Sequence, residues 1–249
     1  MRDRSRGSDD APLLQLVWPP RAWTGDIAPI EPPRPTRFEI PTGVLLEHTI
    51  AEVRAQQIVD DTRFDAIYPA RIRELSSRYW TPVSVARRAA ELLVRFGGTR
   101  VLDVGSGAGK FCLVGALTSP GAFVGVEQRA HLVEMAQGIA DRYAVANASY
   151  VHGDLTTVDW DAFDAFYFFN PFAENHFSRL ERIDSTVTLT PARCEEDLAI
   201  TFEGLARARL GTRVVTYHGL RGDLPESYER YSCESCGTDM LELWVKVRA

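Results

Sequence analysis

An aspartate followed by three alternate glycines, Asp103-x-Gly105-x-Gly107-x-Gly109 in VLDVGSGAGKF, stands directly behind an apolar run. Glycine permits a sharp turn between strand and helix and lets the backbone approach a ligand to contact distance, where a Cβ would collide. The spacing is not that of a dinucleotide loop, because G-x-G-x-x-G would put its third glycine at Lys110. A phosphate P-loop is excluded too, since Gly109-Lys110 is followed by Phe111 and not by Ser or Thr. An acid at the strand end disfavours phosphate and suits a ligand that carries positive charge. Acids recur at the ends of later apolar runs. Glu127 closes FVGVE, 24 residues beyond Asp103, and Asp154 follows ASYVHG. A fourth run, DAFYFF, stops at Asn170-Pro171-Phe172.

Taken in register, these pieces resemble motif I and the following strand ends of the class I S-adenosylmethionine (SAM) dependent methyltransferases, over about residues 79–220. The resemblance implies SAM as cofactor, with a sulfonium and an ammonium group in place of a pyrophosphate. It implies cofactor contacts from Asp103, Gly105, Ser106, Gly107 and Gly109, from Glu127, whose carboxylate accepts from both ribose hydroxyls, and Gln128, from Asp154 and Leu155, and from Asn170. In this family the acid at the position of Asp154 takes the adenine amino group, and the next backbone N–H, here that of Leu155, meets a ring nitrogen. SRYWTP, residues 77–82, resembles the Tyr/Phe-Thr-Pro element that packs by the methionine end of SAM in amine methyltransferases, which brings in Tyr79, Trp80 and Thr81.

Asn170-Pro171-Phe172 resembles the Asn/Asp-Pro-Pro-aromatic motif of amine methyltransferases, without its second proline. There the Asn oxygen and a nearby carbonyl hold both protons of an amino group, so that its lone pair points at the sulfonium methyl. The implied catalytic residues are Asn170, Pro171 and Phe172, the aromatic ring stacking on a flat acceptor or closing over a lysine stem. The same gapped pattern is similar to the catalytic domain of non-SET histone-lysine methyltransferases, although their basic DNA-contacting tail is represented only by Arg2, Arg4 and Arg6. The expected function is methyl transfer to a nitrogen of a protein side chain or nucleobase. A small-molecule methyltransferase, with oxygen among its acceptors, and a SAM-binding protein without catalysis stand as alternatives.

The elements that must position these residues follow from the patterning. Residues 1–40 are expected to be a disordered Pro/Arg-rich leader, eight of the 14 prolines falling by residue 41, with Trp18 and Trp23 able to dock on the domain. Residues 41–98 read as a helical N-terminal cap: helical spacing runs from Gly43 to about Asp60 and from Pro82 to Phe96, with Thr81 as N-cap. From 99 to 249 short β-branched runs alternate with helices, which predicts a Rossmann-like, doubly wound, mostly parallel sheet. A helix from about Cys194 to Leu210 and a strand, TRVVTYHG, precede a terminal antiparallel hairpin around Gly237-Thr238. Ligands of such folds bind at the carboxyl ends of the strands, and Glu174–Asp197 reads as a substrate-facing insertion.

The net charge of −6 argues against action by general attraction to nucleic acid, although the first 100 residues hold 15 Arg against 13 acids. Four scattered cysteines in 249 residues are no disulfide framework, and Cys233-x-x-Cys236 has no second Cys or His pair beside it, so no metal is assigned. With no signal-peptide core and no span-length apolar run, a cytoplasmic location is expected. His176 and His218 fall after the fourth and fifth strands, facing the expected cleft.

Overall fold

A computed structural model describes residues 39–249. The leader expected over residues 1–40 falls outside the described residues except for its last two, as do Arg2, Arg4, Arg6, Trp18 and Trp23.

Five runs of β-branched and aromatic residues form parallel strands: β1 (Arg100–Val104), β2 (Ala122–Glu127), β3 (Ala148–His152), β4 (Ala165–Phe169) and β5 (Arg213–Tyr217). The hairpin β6 (Tyr228–Cys236) and β7 (Asp239–Lys246) adds two antiparallel strands, giving the order β3-β2-β1-β4-β5-β7-β6. Consecutive strands run outward from β1 to β3, and the chain then returns to the other side of β1 with β4. The order reverses between β1 and β4, and a crevice opens there at the carboxyl ends of the strands.

Each face of the sheet carries its own core. Val101, Phe123, Tyr167 and Val215 pack against α4 (Val83–Leu93), α5 (Lys110–Thr118) and α6 (Ala130–Arg142). Leu102, Val104, Phe166 and Phe168 pack against Trp160 and against Cys194, Leu198 and Leu205 of α7 (Pro191–Arg207). Strands buried on both faces account for the unbroken apolar reading of AFYFF.

The helices depart from the sequence pattern in several places. The helix expected from Gly43 to about Asp60 is α1 (Val44–Arg54) alone, because Gln56 turns left-handed at φ 62°. Asp60 then starts α2 (Asp61–Asp65) by accepting from Arg63 N at 2.9 Å. A further helix, α3 (Ala70–Tyr79), leads to the SRYWTP stretch. Thr81 does not cap α4: its hydroxyl is buried against Tyr167 Oη at 3.1 Å, and the first helical amide, Val83 N, donates to Asp61 Oδ1 at 2.9 Å. Helix α7 begins three residues before the expected Cys194, because Thr190 Oγ1 accepts from Arg193 N at 3.1 Å and Pro191 fits its first turn.

Lys110 joins the cap to the sheet. Its side chain is 2% exposed, with Nζ 2.6 Å from both Asp61 Oδ1 and Asp65 Oδ1 and 3.2 Å from Ser76 Oγ.

Candidate active site

The glycine loop turns between β1 and α5 with Gly105, Gly107 and Gly109 all left-handed, at φ 73°, 53° and 77°. Non-glycine residues rarely adopt these values, so the backbone alone accounts for the three glycines. The space beside them is largely filled by protein. A Cβ on Gly107 would lie 2.1 Å from Trp80, and one on Gly109 would lie 2.5 Å from the ring of Tyr150, whose hydroxyl donates to Gly109 O at 2.9 Å. The side-chain positions of Gly107 and Gly109 thus face Trp80 and Tyr150 and not the cleft. Gly105, 3.2 Å from Pro171 by the same measure, lines the open cleft, and its neighbours seat Trp80 and Tyr150. Ser106 is buried, its Oγ turned toward Gly125 and without a hydrogen-bond partner among the described residues.

The cleft encloses about 500 Å³, its open mouth included. It is bounded by the ends of β1 and β2, the turn after β3, Pro171-Phe172 after β4, and residues of the insertion and α7. Glu127, Gln128, Asp154, Leu155, Pro171 and Phe172 all line it. Glu127 is 7% exposed; its Oε2 accepts from Gly107 N at 3.1 Å and its Oε1 from Arg129 N at 2.9 Å. A carboxylate oxygen offers two acceptor positions, so both oxygens keep capacity for a diol donor. The Gln128 carbonyl accepts from His152 Nε2 at 3.1 Å.

Three assignments meet a different environment. Asp103 is not on the cleft wall; it lies 4% exposed beneath the loop, where Cys112 Sγ donates to it at 3.5 Å. Burial pushes its carboxyl up to about 7, against the pull of the thiol and with Glu127 adding to the rise. Asp154 caps the turn after β3: Oδ1 accepts from Thr156 N at 2.9 Å and Oδ2 from Arg193 Nη2 at 3.2 Å, and the bond from the Thr156 hydroxyl leads in holding its pKa below the usual value. Phe172 is 8% exposed and belongs to the core on the α7 face, so its ring is a cleft wall and is not presented as an acceptor platform.

At the ends of β4 and β5 lie two adjacent left-handed residues, Asn170 at φ 42° and His218 at φ 60°. Asn tolerates this conformation and His does so less often, which marks a constrained pair of strand ends. The Asn170 carbonyl accepts from Ala173 N at 3.2 Å, while its side chain makes no hydrogen bond among the described residues. Asn170 lies outside the wall of the described cleft. The His218 ring sits 5.2 Å from that of Phe169, and its Nδ1 pairs with Asp239. Burial lowers the His218 pKa against the opposing pull of Asp239. Tyr79 donates to the Glu181 carbonyl and packs edge-on against Phe177, with its phenol pushed up to about 12 by burial. Tyr79 and Thr81 are thus engaged within the protein and stand away from the described cleft. His176 accepts from Arg221 Nη1 at 2.8 Å.

The insertion is held by a residue the sequence did not point to. Arg129, 5% exposed, places Nη2 at 2.9 Å from Glu174 Oε1, Nε at 3.1 Å from Asp184 Oδ1 and Nη1 at 3.7 Å from Glu127 Oε1. The ends of β2 and α6 are thereby tied to the segment after β4. Part of the stretch read as substrate-facing, through Glu174, Asn175, Val187 and Leu189, walls the cleft instead. Arg129 follows Glu127 by two residues, which is its one local signal; its partners lie 45 and 55 residues away. Among the described residues no group of three or more His, Cys, Asp or Glu is placed to hold a metal, and no helix is long and apolar enough to cross a membrane.

Residues 96–197 match the model of a family described as a methyltransferase domain. No curated protein matches the chain. Among solved structures, the chain is similar to an RNA methyltransferase from Salinibacter ruber in complex with S-adenosyl-L-homocysteine, at 22% identity and a TM-score of 0.49, over 68% of this chain and 94% of that one. It is also similar to TrmN from Thermus thermophilus, at 17% identity and a TM-score of 0.48, over 70% of this chain and 52% of that one. A SAM-dependent methyltransferase from Aquifex aeolicus gives 13% identity and a TM-score of 0.45, over 66% of this chain and 89% of that one.

Proposed function

We propose that this chain is a class I SAM-dependent methyltransferase and that it transfers the methyl group of SAM to a nitrogen acceptor held at Asn170. The cleft suits the adenosine part of SAM: apolar walls at Val126, Leu155 and Phe172 flank a slot for a flat base, and Glu127 offers open acceptor positions to a diol. SAM supplies a methyl carbon already activated by positive sulfur. In the transfer the nitrogen lone pair forms the new bond to carbon, the sulfur keeps the old bonding pair as a neutral thioether, and the nitrogen then loses a proton.

The protein's task is alignment, and a positioned, uncharged nucleophile meets most of it. The observation that carries the nitrogen reading is the Asn170 side chain, which makes no hydrogen bond among the described residues and stands on a left-handed backbone at the end of β4, next in sequence to Pro171, which lines the cleft. An amide oxygen there can accept from an amino group while leaving its lone pair directed at the methyl. The paired His218 and Asp239 favour a second reading, in which the acceptor is a hydroxyl that must give up its proton.

Incubation of the protein with methyl-labelled SAM and fractions of protein, RNA, DNA and small molecules identifies the acceptor. With that acceptor, Asn170→Ala is expected to leave SAM affinity almost unchanged and to lower the single-turnover rate at saturating SAM by about a hundredfold, the typical effect of losing one positioned polar group. Wild-type turnover in Asn170→Ala would make the Asn-Pro-Phe stretch a strand-ending turn and move the acceptor reading to the hydroxyl.

A further inference from the structure

The base end of the cleft is shared by two carboxylates and one arginine, and it is here that the reading of the cleft as a SAM site can be deepened. Asp197, in the second turn of α7, is 1% exposed and lines the cleft. Its Oδ1 accepts from Arg193 Nε at 2.9 Å, and its Oδ2 accepts no hydrogen bond among the described residues. Asp154, the expected adenine reader, has Oδ1 filled by Thr156 N and Thr156 Oγ1 and Oδ2 shared with the same Arg193, and its side chain is 32% exposed, so water satisfies the acceptor position that remains. Asn175 is likewise occupied, its Oδ1 accepting from Thr190 N at 3.0 Å and its Nδ2 donating to Phe172 O at 3.2 Å.

A carboxylate withdrawn from water with acceptor positions unfilled costs free energy until a donor reaches it. The neighbouring walls, Leu155, Phe172 and Leu189, are apolar and suit the faces of an aromatic base, so the donor must come from the base's edge. We propose that Asp197, and not Asp154, accepts the exocyclic amino group of the adenine and makes the cleft selective for adenosine over an inosine-type base. Such a base carries a carbonyl oxygen at that position and would set lone pairs against a buried carboxylate, which excludes it by repulsion as well as by a lost bond. Burial raises the Asp197 carboxyl pKa against the pull of Arg193, and an amino donor on Oδ2 favours the charged form.

Equilibrium binding of S-adenosylhomocysteine and S-inosylhomocysteine to the full chain tests the assignment in wild type, Asp197→Ala and Asp154→Ala. Alanine is a strong helix former, so the exchange within α7 keeps the helix. Wild type is expected to prefer the adenosyl ligand by at least about tenfold, the worth of one hydrogen bond to a charged acceptor. Asp197→Ala should reduce that preference to within about threefold, and Asp154→Ala should retain it. A preference kept in Asp197→Ala, or lost in Asp154→Ala, overturns the assignment; the second arm decides even if the first variant does not fold. A wild-type chain that binds neither ligand overturns the SAM reading itself, a result separate from either of these.

Discussion

At Asp103 a carboxylate sits where water does not reach and where no cation among the described residues pairs with it. Its partner is a thiol, and burial holds its pKa near 7, where an unfolded aspartate titrates at about 3.9. Between those two values the folded chain keeps a proton that the unfolded chain has released. Stability therefore falls as pH rises through this window, by up to about 1.4 kcal/mol per pH unit, and the loss is complete above the folded pKa. Asp103→Asn keeps the shape and removes the ionisation. The melting temperature of the ligand-free wild type should decline from about pH 5 to about pH 8, with the variant following a flatter curve and melting higher at the alkaline end. Parallel curves would show that Asp103 is ionised, or protonated, throughout, and that its burial does not control its proton.

At the scale of elements, what could be read from the sequence is what periodicity and turn chemistry encode. The alternation of β-branched runs and helices after Gly98, the loop between β1 and α5, and the hairpin at Gly237-Thr238 all stand where the pattern put them. The start of α4 and the role of Lys110 could not be read in the same way. Asp61, which receives Val83 N, is 22 residues away, and the partners of Lys110 lie 49 and 34 residues away, so no local window contains either contact. Lys110 told against a dinucleotide loop by its spacing; its physical work is to hold α2 and α3 on the first turn of α5. Lys110→Met should strip Asp65, whose side chain is 8% exposed, of its countercharge and cost about 3–5 kcal/mol in denaturant unfolding. Adding Asp65→Asn should recover part of that loss, a non-additivity that separates the ion pair from the packing of the lysine stem. A single variant as stable as wild type would mean that the cap is held by its apolar contacts alone.

For the molecule as a whole, the reversal of strand order between β1 and β4 opens the crevice, and the segment after β4 covers part of it. That cover is not fixed by a large apolar core, since Arg179–Glu181 and its flanks are half-buried or exposed. It is fixed at Arg129, which gathers Glu174 and Asp184 from the cover and Glu127 from the end of β2 around one guanidinium, with His131 Nε2 3.2 Å from Asp184 Oδ2. The three carboxylates outweigh the single arginine, so the cover stays in place only while that charge remains between them. Arg129→Met keeps much of the side-chain volume and removes the charge, leaving Glu127, Glu174 and Asp184 to repel across an apolar stem. Amide hydrogen exchange should then quicken over residues 174–184 and stay unchanged in β1 and β4, because local opening of a cover need not disturb strands buried on both faces. S-adenosylhomocysteine affinity should fall by about tenfold or more, since Glu127 would lose the neighbour that orients it and the cleft would lose a wall. Unchanged exchange over 174–184, together with unchanged affinity, would show that the cover is held by contacts other than Arg129 and that the cleft does not depend on it.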